Sequence, residues 1–365
     1  MGFTAKDVQA LREKTGVGMM DCKKALVETD GDMDKAIEIL REKGLATAAK
    51  KAGRVAAEGT VGVYTDGAAS ALVELNCETD FVGNNPEFKE LAAVIAKTVA
   101  LTRPADIDAL KAATVADGSV TVEEAIQELF LKIRENIQLR RFAFVEGVAV
   151  SYIHAGGSVG VLVTFDTDAA DQPGFIEMGK NVAMQVAAMS PEYLSKDDIS
   201  ADELAKMRNI TVESALNKPD TLPKPILNKV IAKAIADGLL SDADLAAYEE
   251  QKKNQFLFNF LSPEAVAAFA QVAVAGKEEY AADPIFGKAI EGRIAKQIKE
   301  ICLLDQPFVR SDVFEGSVGA YIANVAKTLG AQIKATGYVR FAKGEGLQKK
   351  ADDFAAEVAG MTGKK

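Results

Sequence analysis

The sequence predicts an α+β protein, in which a small three-helix bundle is followed by two related α+β lobes with small antiparallel sheets, the second interrupted by a long helical insertion. Residues 1–44 carry apolar side chains at helical spacing, whereas two later regions alternate with the period of two that strands show. The motif GTVGVY at 59–64 also recurs as GSVGVL at 157–162. A repeat of this kind favours two related lobes, each with helices on one side of its sheet.

Length, charge and cysteine content disfavour several classes of protein. At 365 residues the chain is long enough for two or three domains. The net charge of -10 disfavours a nucleic-acid-binding role for the whole chain. Three cysteines far apart in sequence do not suggest a disulfide framework, so a reduced cytoplasm is expected. The N-terminus lacks the apolar region of a signal peptide, and no apolar run reaches the ~18 residues of a membrane helix.

The motifs of common catalytic sites are missing from the sequence. The single histidine, His154, lies in the strand-like stretch VAVSYIHAGG, and without a second histidine or a paired cysteine a zinc site has too few ligands. P-loop, dinucleotide-binding and nucleophile-elbow motifs are also missing. These observations favour a protein that works by binding, without a metal or cofactor. An enzyme with a site built from dispersed carboxylates, such as Glu78, Asp80 and Glu87, stays open as an alternative.

Residues 1–54 are predicted to form the three-helix domain and a basic linker. The first helix begins near Thr4, which has the spacing of a capping box with Asp7. The third helix begins near Asp32 and is expected to end at Gly44.

The second helix of this domain is expected to start at Asp21, a plausible N-cap. That start leaves Met19 and Met20 in a glycine-rich loop, TGVGMM. Flexible thioethers suit adaptable contact surfaces, so the two methionines are candidates for partner binding. The alternative is that both simply cap the core of the bundle.

Residues 55–140 are predicted to form the first lobe. GTVGVYT and ALVELNC alternate like strands, and Asp66 with Gly67 between them gives a turn. The stretch NCETDFVGNN follows as a loop and places Asp80 beside Phe81. The aromatic ring either folds back onto the core of its own lobe or is meant for another protein. Two predicted helices, NPEFKELAAVIAKTVAL and TVEEAIQELFLKIRENI, complete the lobe before the chain returns to strand.

The second lobe is predicted in two pieces, 141–195 and 300–346. Residues 196–299 between them have an almost wholly helical pattern, broken by glycines and prolines, and form the insertion. Its simplest role is packing or self-association. A short amphipathic C-terminal helix is predicted for 347–365.

Several stretches, in order along the chain, resemble bacterial elongation factor Ts. LREKTGVGMMDCKKAL and GDMDKAIEILREKG resemble its N-terminal domain, EGTVGVY and LNCETDFV its first lobe, and SYIHAGGSVGVLV and GYVRFAKGEG its second. This family is the guanine-nucleotide exchange factor of the GTPase elongation factor Tu. The resemblance implies a cytoplasmic protein that binds GDP-bound elongation factor Tu and promotes exchange of GDP for GTP. It implies protein–protein binding rather than enzymatic catalysis.

The resemblance also implies roles for particular residues. The TDFV stretch is linked in the family to dislodging Mg²⁺ from the partner, and here it comprises Thr79, Asp80, Phe81 and Val82. We call these four residues the finger. The family uses its N-terminal domain against the GTPase domain and its second lobe against the third domain of the partner. The matching candidates for partner binding are Arg12, Met19, Met20 and His154.

The sequence departs from the family pattern at two places. The family has a coiled-coil hairpin in the insertion, often tied to dimerisation, so a homodimer through residues 196–299 is one expectation. The extra stretch NQFLFNFLSPEAVAAF leaves a different contact open. Arg134 stands where the family commonly has glycine, and we expect it to affect only the surface. Residues 1–44 also resemble a ubiquitin-associated (UBA-like) bundle, so a non-catalytic UBA-like adaptor is the alternative function.

Overall fold

The computed structural model describes residues 2–348 and divides into two compact units. Of the described residues, the first unit comprises 2–190, 308–316 and 320–348, and the second comprises Pro191–Pro307 and Ser317–Gly319. The predicted α+β class is confirmed. The domain limits expected from the sequence stay a prediction beside this division. The helix predicted for 347–365 lies almost wholly outside the described residues.

Three helices begin the first unit, as predicted for the bundle: α1 (Ala5–Thr15), α2 (Met19–Glu28) and α3 (Met33–Lys51). The predicted capping box opens α1, since the Thr4 hydroxyl accepts from the Asp7 amide and the Asp7 carboxylate accepts from the Thr4 amide. The three helices bury a common core that includes Val8, Leu11, Leu26 and Leu40.

The predicted start of the second helix at Asp21 is wrong. The helix begins at Met19, and Gly18 is its N-cap without any side-chain hydrogen bond. Asp21 instead lies in the first turn, where its negative charge is favourable near the positive end of the helix dipole. As a result, Met19 and Met20 are held on a helix rather than in a loop.

The predicted end of the third helix at Gly44 is also wrong, because α3 continues to Lys51. Gly44 is buried, and a Cβ atom at this position would overlap the side chain of Leu131. The missing side chain therefore lets another helix approach closely, and the glycine does not terminate α3.

The first lobe is built on an antiparallel sheet of order β1-β2-β3. Its strands are β1 (Glu58–Thr65), β2 (Ala69–Cys77) and β3 (Gln138–Glu146). The predicted turn joins β1 to β2, and the Asp66 carboxylate accepts from the Ala68 and Ala69 amides. Between β2 and β3 lie α4 (Asp80–Gly83), α5 (Pro86–Thr102), α6 (Ile107–Ala112) and α7 (Val122–Ile133).

The second lobe repeats the three-stranded antiparallel arrangement in the order β4-β5-β6. Its strands are β4 (Val148–His154), β5 (Val159–Thr167) and β6 (Ile333–Ala342). The helix α8 (Pro173–Met189) packs on β4 and β5. The last strand, distant in sequence, pairs with β5 from Val159 opposite Ala342 to Thr167 opposite Ile333. The second lobe is therefore closed by a strand that follows the insertion.

The two sheets of the first unit pack against each other through apolar residues, including Val61, Leu72, Leu162 and Phe341. A carboxylate is buried at the same place. Glu74 on β2 is fully buried, and it accepts hydrogen bonds from Arg140 (2.9 Å), Arg141 (2.5 Å) and the Gly344 amide (2.7 Å). Gly344 follows β6, so this ion network connects strands of both lobes.

The second unit is helical and has its own core, which includes Phe269, Phe286 and Ile290. Its helices are α9 (Ala201–Leu216), α10 (Lys224–Ala236), α11 (Asp242–Gln251), α12 (Pro263–Ala275), α13 (Lys277–Ala281) and α14 (Pro284–Ile301). A further helix, α15 (Val318–Leu329), precedes β6. The coiled coil and the homodimer stay predictions. Among residues 2–348, none of the helices combines the length and the apolar character needed to span a membrane.

Candidate functional site

The finger carries the most exposed large apolar side chain among the described residues. Thr79 is the N-cap of α4, and its hydroxyl accepts a hydrogen bond from the Val82 amide (3.4 Å). The Phe81 ring is 85% exposed. It does not fold back onto the core of its own lobe, so its apolar surface is available to another molecule.

The other side of α4 is fixed to the first lobe. Val82 is half-buried and packs against the core between the sheet and its helices. Gly83 is buried, and a Cβ atom there would lie 2.8 Å from the Gly59 carbonyl oxygen on β1. Asp80 is exposed, and within residues 2–348 its carboxylate makes no hydrogen bond or ion pair. Val82 and Gly83 thus anchor the short helix and leave Asp80 and Phe81 free.

The base of the finger is held by a residue that the sequence did not single out. One Glu135 oxygen accepts from the Thr79 hydroxyl (2.6 Å), and the other accepts from the Thr79 amide (2.9 Å) and the Glu78 amide (3.1 Å). Glu78 in turn accepts from the Asn136 amide (2.8 Å). Charged acceptors make the stronger hydrogen bonds, so the approach to α4 is well fixed. The only signal in the sequence was the neighbouring Arg134, which stands where the family commonly has glycine.

A second exposed surface lies on α1 and α2. Met20 is 64% exposed, Met19 is 43% exposed, and Arg12 is also exposed. Neither methionine belongs to the core of the bundle. The interpretation that both methionines cap the core is therefore not supported, and their role in partner binding stays a prediction.

Arg134 has a structural role beyond the surface effect that the sequence predicts. It is the C-cap of α7 in the left-handed conformation (φ 64°, ψ 21°), which explains why glycine is favourable here. Its guanidinium donates to the Asp21 carboxylate (2.9 Å) and to the Leu131 carbonyl (3.1 Å), and its own carbonyl accepts from Lys51. Arg134 therefore connects the start of α2 to the first lobe.

His154 ends β4 in the second lobe and is exposed. Its Nδ1 atom lies 3.0 Å from the Tyr152 hydroxyl. The two glycines that follow have positive φ, and a Cβ atom at Gly157 would overlap the Thr60 side chain of β1. These glycines bring the loop after His154 directly against the first lobe.

The three cysteines are buried and free. Burial raises the pKa of Cys77 to about 12, with a further contribution from the negative charge of Glu135. Burial likewise raises the pKa of Cys302 to about 11 and raises the pKa of Cys22. The Cys77 thiol donates to the Thr79 carbonyl (3.1 Å), so it contacts the first residue of the finger. Among residues 2–348 no group of three potential metal ligands comes together.

We expect these thiols to react very slowly with a disulfide reagent such as DTNB at pH 8 in the native protein. The Cys77 pKa lies about four units above that pH, so only about one molecule in 10,000 carries the thiolate that attacks. The measurement is the release of the coloured thiol over time, with the same protein in guanidinium chloride as the control. All three thiols should react promptly once unfolded. A thiol that reacts within seconds in the native state would contradict the structure.

The fold and these surfaces define a class of protein that presents exposed apolar side chains from rigidly held backbone, as protein-binding modules do. Residues 78–345 match the family model described as Elongation factor TS. A curated relative named elongation factor Ts, from Clostridium perfringens, is 40% identical over 99% of this chain and 100% of its own length. The chain belongs to the elongation factor Ts family, the guanine-nucleotide exchange factors of elongation factor Tu.

Two further relatives of the same name support this assignment. The protein from Syntrophotalea carbinolica is 38% identical over 99% of this chain and 100% of its own length. The protein from Clostridioides difficile is 38% identical over 98% of both chains. Since these matches run along nearly the whole of each chain, they include both lobes and the insertion.

Proposed function

We propose that the chain binds GDP-bound elongation factor Tu and speeds GDP release by using its finger to disturb the Mg²⁺ site of the GTPase. The observation that carries this proposal is the Phe81 ring, which is 85% exposed on a helix whose base is fixed. Burying one aromatic side chain in a partner contributes ~1.5–3 kcal/mol. Because each ~1.4 kcal/mol changes an affinity tenfold, one such ring is enough to weaken GDP binding substantially.

The finger does not need to touch the ion in order to act. Mg²⁺ demands near-ideal octahedral geometry at ~2.0–2.1 Å and is held partly by nucleotide phosphates. A ring inserted between elements of the GTPase shifts ligands by enough to lose the ion. The phosphates then lack a counter-charge, and GDP binds more weakly. The exposed Asp80 carboxylate fixes the approach through hydrogen bonds to the partner or changes the local charge. Val82 anchors the finger.

The second part of the proposal concerns the other contact surfaces. Arg12, Met19 and Met20 bind the GTPase domain of the partner, supported by their common exposure on α1 and α2. His154 contacts the third domain of the partner, supported by its exposed place at the end of β4. The chain acts in the cytoplasm by protein–protein binding, and the chemical step of an enzyme is not required.

The alternative function as a UBA-like adaptor is less well supported. An adaptor of this kind needs a bundle that works independently. Here Leu131 of α7, a residue of the first lobe, belongs to the core cluster of the bundle. The close approach of Gly44 to the same side chain adds to this shared core. The bundle is therefore packed onto the first lobe, which supports a joint role with the finger over an independent adaptor.

The test of this proposal is release of a fluorescent GDP analogue from elongation factor Tu, with and without the chain, at excess Mg²⁺ and in excess EDTA. At excess Mg²⁺ we expect the chain to accelerate release by at least about tenfold, which corresponds to ~1.4 kcal/mol. In EDTA the ion is already gone, so the acceleration should shrink towards unity. Equal acceleration in both conditions would contradict the role of Mg²⁺. No acceleration in either condition would contradict the exchange function.

A further inference from the structure

The short connection between α7 and β3 contacts both surfaces of the proposed site. Its residues Arg134, Glu135 and Asn136 are consecutive, and each holds a different part of the molecule. Arg134 reaches the start of α2, while Glu135 reaches the base of the finger. We call this connection the 134–136 segment.

The contacts of Arg134 fix the position of α2. Its guanidinium donates to Asp21, the residue that directly follows Met20, and its backbone carbonyl accepts from Lys51 at the end of α3. The Arg134–Asp21 pair is partly exposed, with 38% of the Arg134 side chain and 47% of the Asp21 side chain open to solvent. An ion pair of this exposure contributes little to the stability of the fold, at most about 1 kcal/mol.

The contacts of Glu135 and Asn136 fix the finger and the chain that leads to the sheet. Glu135 satisfies two backbone amides and the Thr79 hydroxyl with a single carboxylate. Asn136 is buried, donates its amide hydrogen to Glu78, and bonds through its side chain to the carbonyls of Ala52 (3.3 Å) and Arg54 (2.8 Å). The segment thus joins the end of the bundle, the finger and β3 at one place.

We propose that Arg134 and Glu135 are positioning residues, which keep the Met19/Met20 surface and the finger at a fixed spacing so that both meet the partner at once. This inference rests on the proposed function. Two surfaces held rigidly together bind as a unit, because the second contact forms without a further loss of freedom. Loosening α2 should therefore weaken binding. Loosening the finger should instead slow the release step itself.

Arg134→Gly is a clean variant for the first half of the proposal. The backbone at this position has φ 64°, which glycine adopts without strain, so the fold of the α7 C-terminus is retained. The substitution removes the guanidinium and with it the bond to Asp21, together with the bond to the Leu131 carbonyl within the last turn of α7. Asp21→Ala removes the same bond from the other side. The double variant shows whether the two residues act through each other.

The measurement is the rate of GDP release as a function of the concentration of the chain. For Arg134→Gly we expect the half-saturating concentration to rise about three- to tenfold, with a maximal rate within about twofold of the original. Asp21→Ala should do the same, and the double variant should add nothing further. Unchanged half-saturation in both single variants would overturn the proposal. Fully additive effects would overturn it as well, because Asp21 would then act on the partner by itself.

Glu135 should give the opposite kinetic result. Glu135→Ala leaves the Thr79 and Glu78 amides without their acceptor, so we expect the maximal rate to fall about tenfold while half-saturation changes less. Glu135→Gln keeps one carbonyl acceptor, so its maximal rate should lie between that of the original chain and that of Glu135→Ala. If Glu135→Ala supports GDP release at the original maximal rate, the finger does not depend on Glu135. The proposed positioning role of Glu135 is then overturned.

Amide hydrogen exchange of the free chain separates this inference from the proposed function. Without any partner, Arg134→Gly should speed exchange at the start of α2, and Glu135→Ala should speed exchange in α4. Slow exchange in both variants would overturn the positioning roles whatever the partner does. If exchange speeds up as expected but the original chain never accelerates GDP release, the failure lies in the proposed function.

Discussion

Replacing Phe81 by alanine is expected to slow factor-dependent GDP release by about 30-fold or more. Side chains at the centre of an interface contribute ~2 kcal/mol or more, and ~1.4 kcal/mol corresponds to a factor of ten. The ring is 85% exposed, so its removal loses almost no packing inside the chain. The free energy of unfolding should therefore stay within ~0.5 kcal/mol of the original value.

The control for this variant is another exposed phenylalanine. Phe256 is 58% exposed in the second unit and precedes the buried Leu257. Phe256→Ala removes a similar apolar area and should leave GDP release unchanged. The measurement is release of fluorescent GDP from elongation factor Tu at excess Mg²⁺. Equal rates for the two variants would show that the Phe81 ring does not drive GDP release. Met19, Met20 and the second lobe would then be the candidates for this role.

Local sequence patterns were sufficient to predict those parts of the structure that neighbouring residues determine. The capping box of Thr4 and Asp7 and the turn at Asp66 form as expected, because their hydrogen bonds close within three residues. The two sheets were also predictable, since alternation of apolar and polar residues is a property of the strand itself. The repeated motif, in contrast, does not mark equivalent strands: its first copy lies in β1, an edge strand, and its second overlaps β5, the central strand of the other sheet.

The wrong end of α3 and the missed Glu135 both occurred where distant residues determine the outcome. The sequence gives no indication that Gly44 faces Leu131, so a packing glycine looked like a helix end. Glu135 was missed for the same reason, because its partner Thr79 is 56 residues away in the chain. The exposure of Phe81 depends on Val82 and Gly83, which anchor α4 and turn the ring outward. The resemblance to a family identified the finger in the sequence. The hydrogen bonds between Glu135 and the base of the finger could be found only in the structure.

The largest effect on stability is expected from Glu74→Ala. Glu74 is fully buried, and one of its oxygens accepts from Arg140 and from the Gly344 amide while the other accepts from Arg141. Without the carboxylate, two guanidinium groups remain close together and a buried amide loses its acceptor. Removing one partner of a buried ion pair destabilises a protein by ~3–5 kcal/mol. Since both arginines are partly exposed (25% and 31%), we expect the lower end of this range, about 3 kcal/mol.

Differential scanning calorimetry measures this change as a shift of the unfolding midpoint. For a unit of this size, about 3 kcal/mol corresponds to a decrease of roughly 6–12 °C. The matched control is Glu128→Ala, which removes an ion pair with Arg41 whose side chains are about half exposed. That variant should change the free energy of unfolding by less than ~1 kcal/mol. If the two variants melt alike, Glu74 does not hold the sheets of the two lobes together. The apolar cluster that includes Leu72 and Leu162 would then be sufficient for that packing.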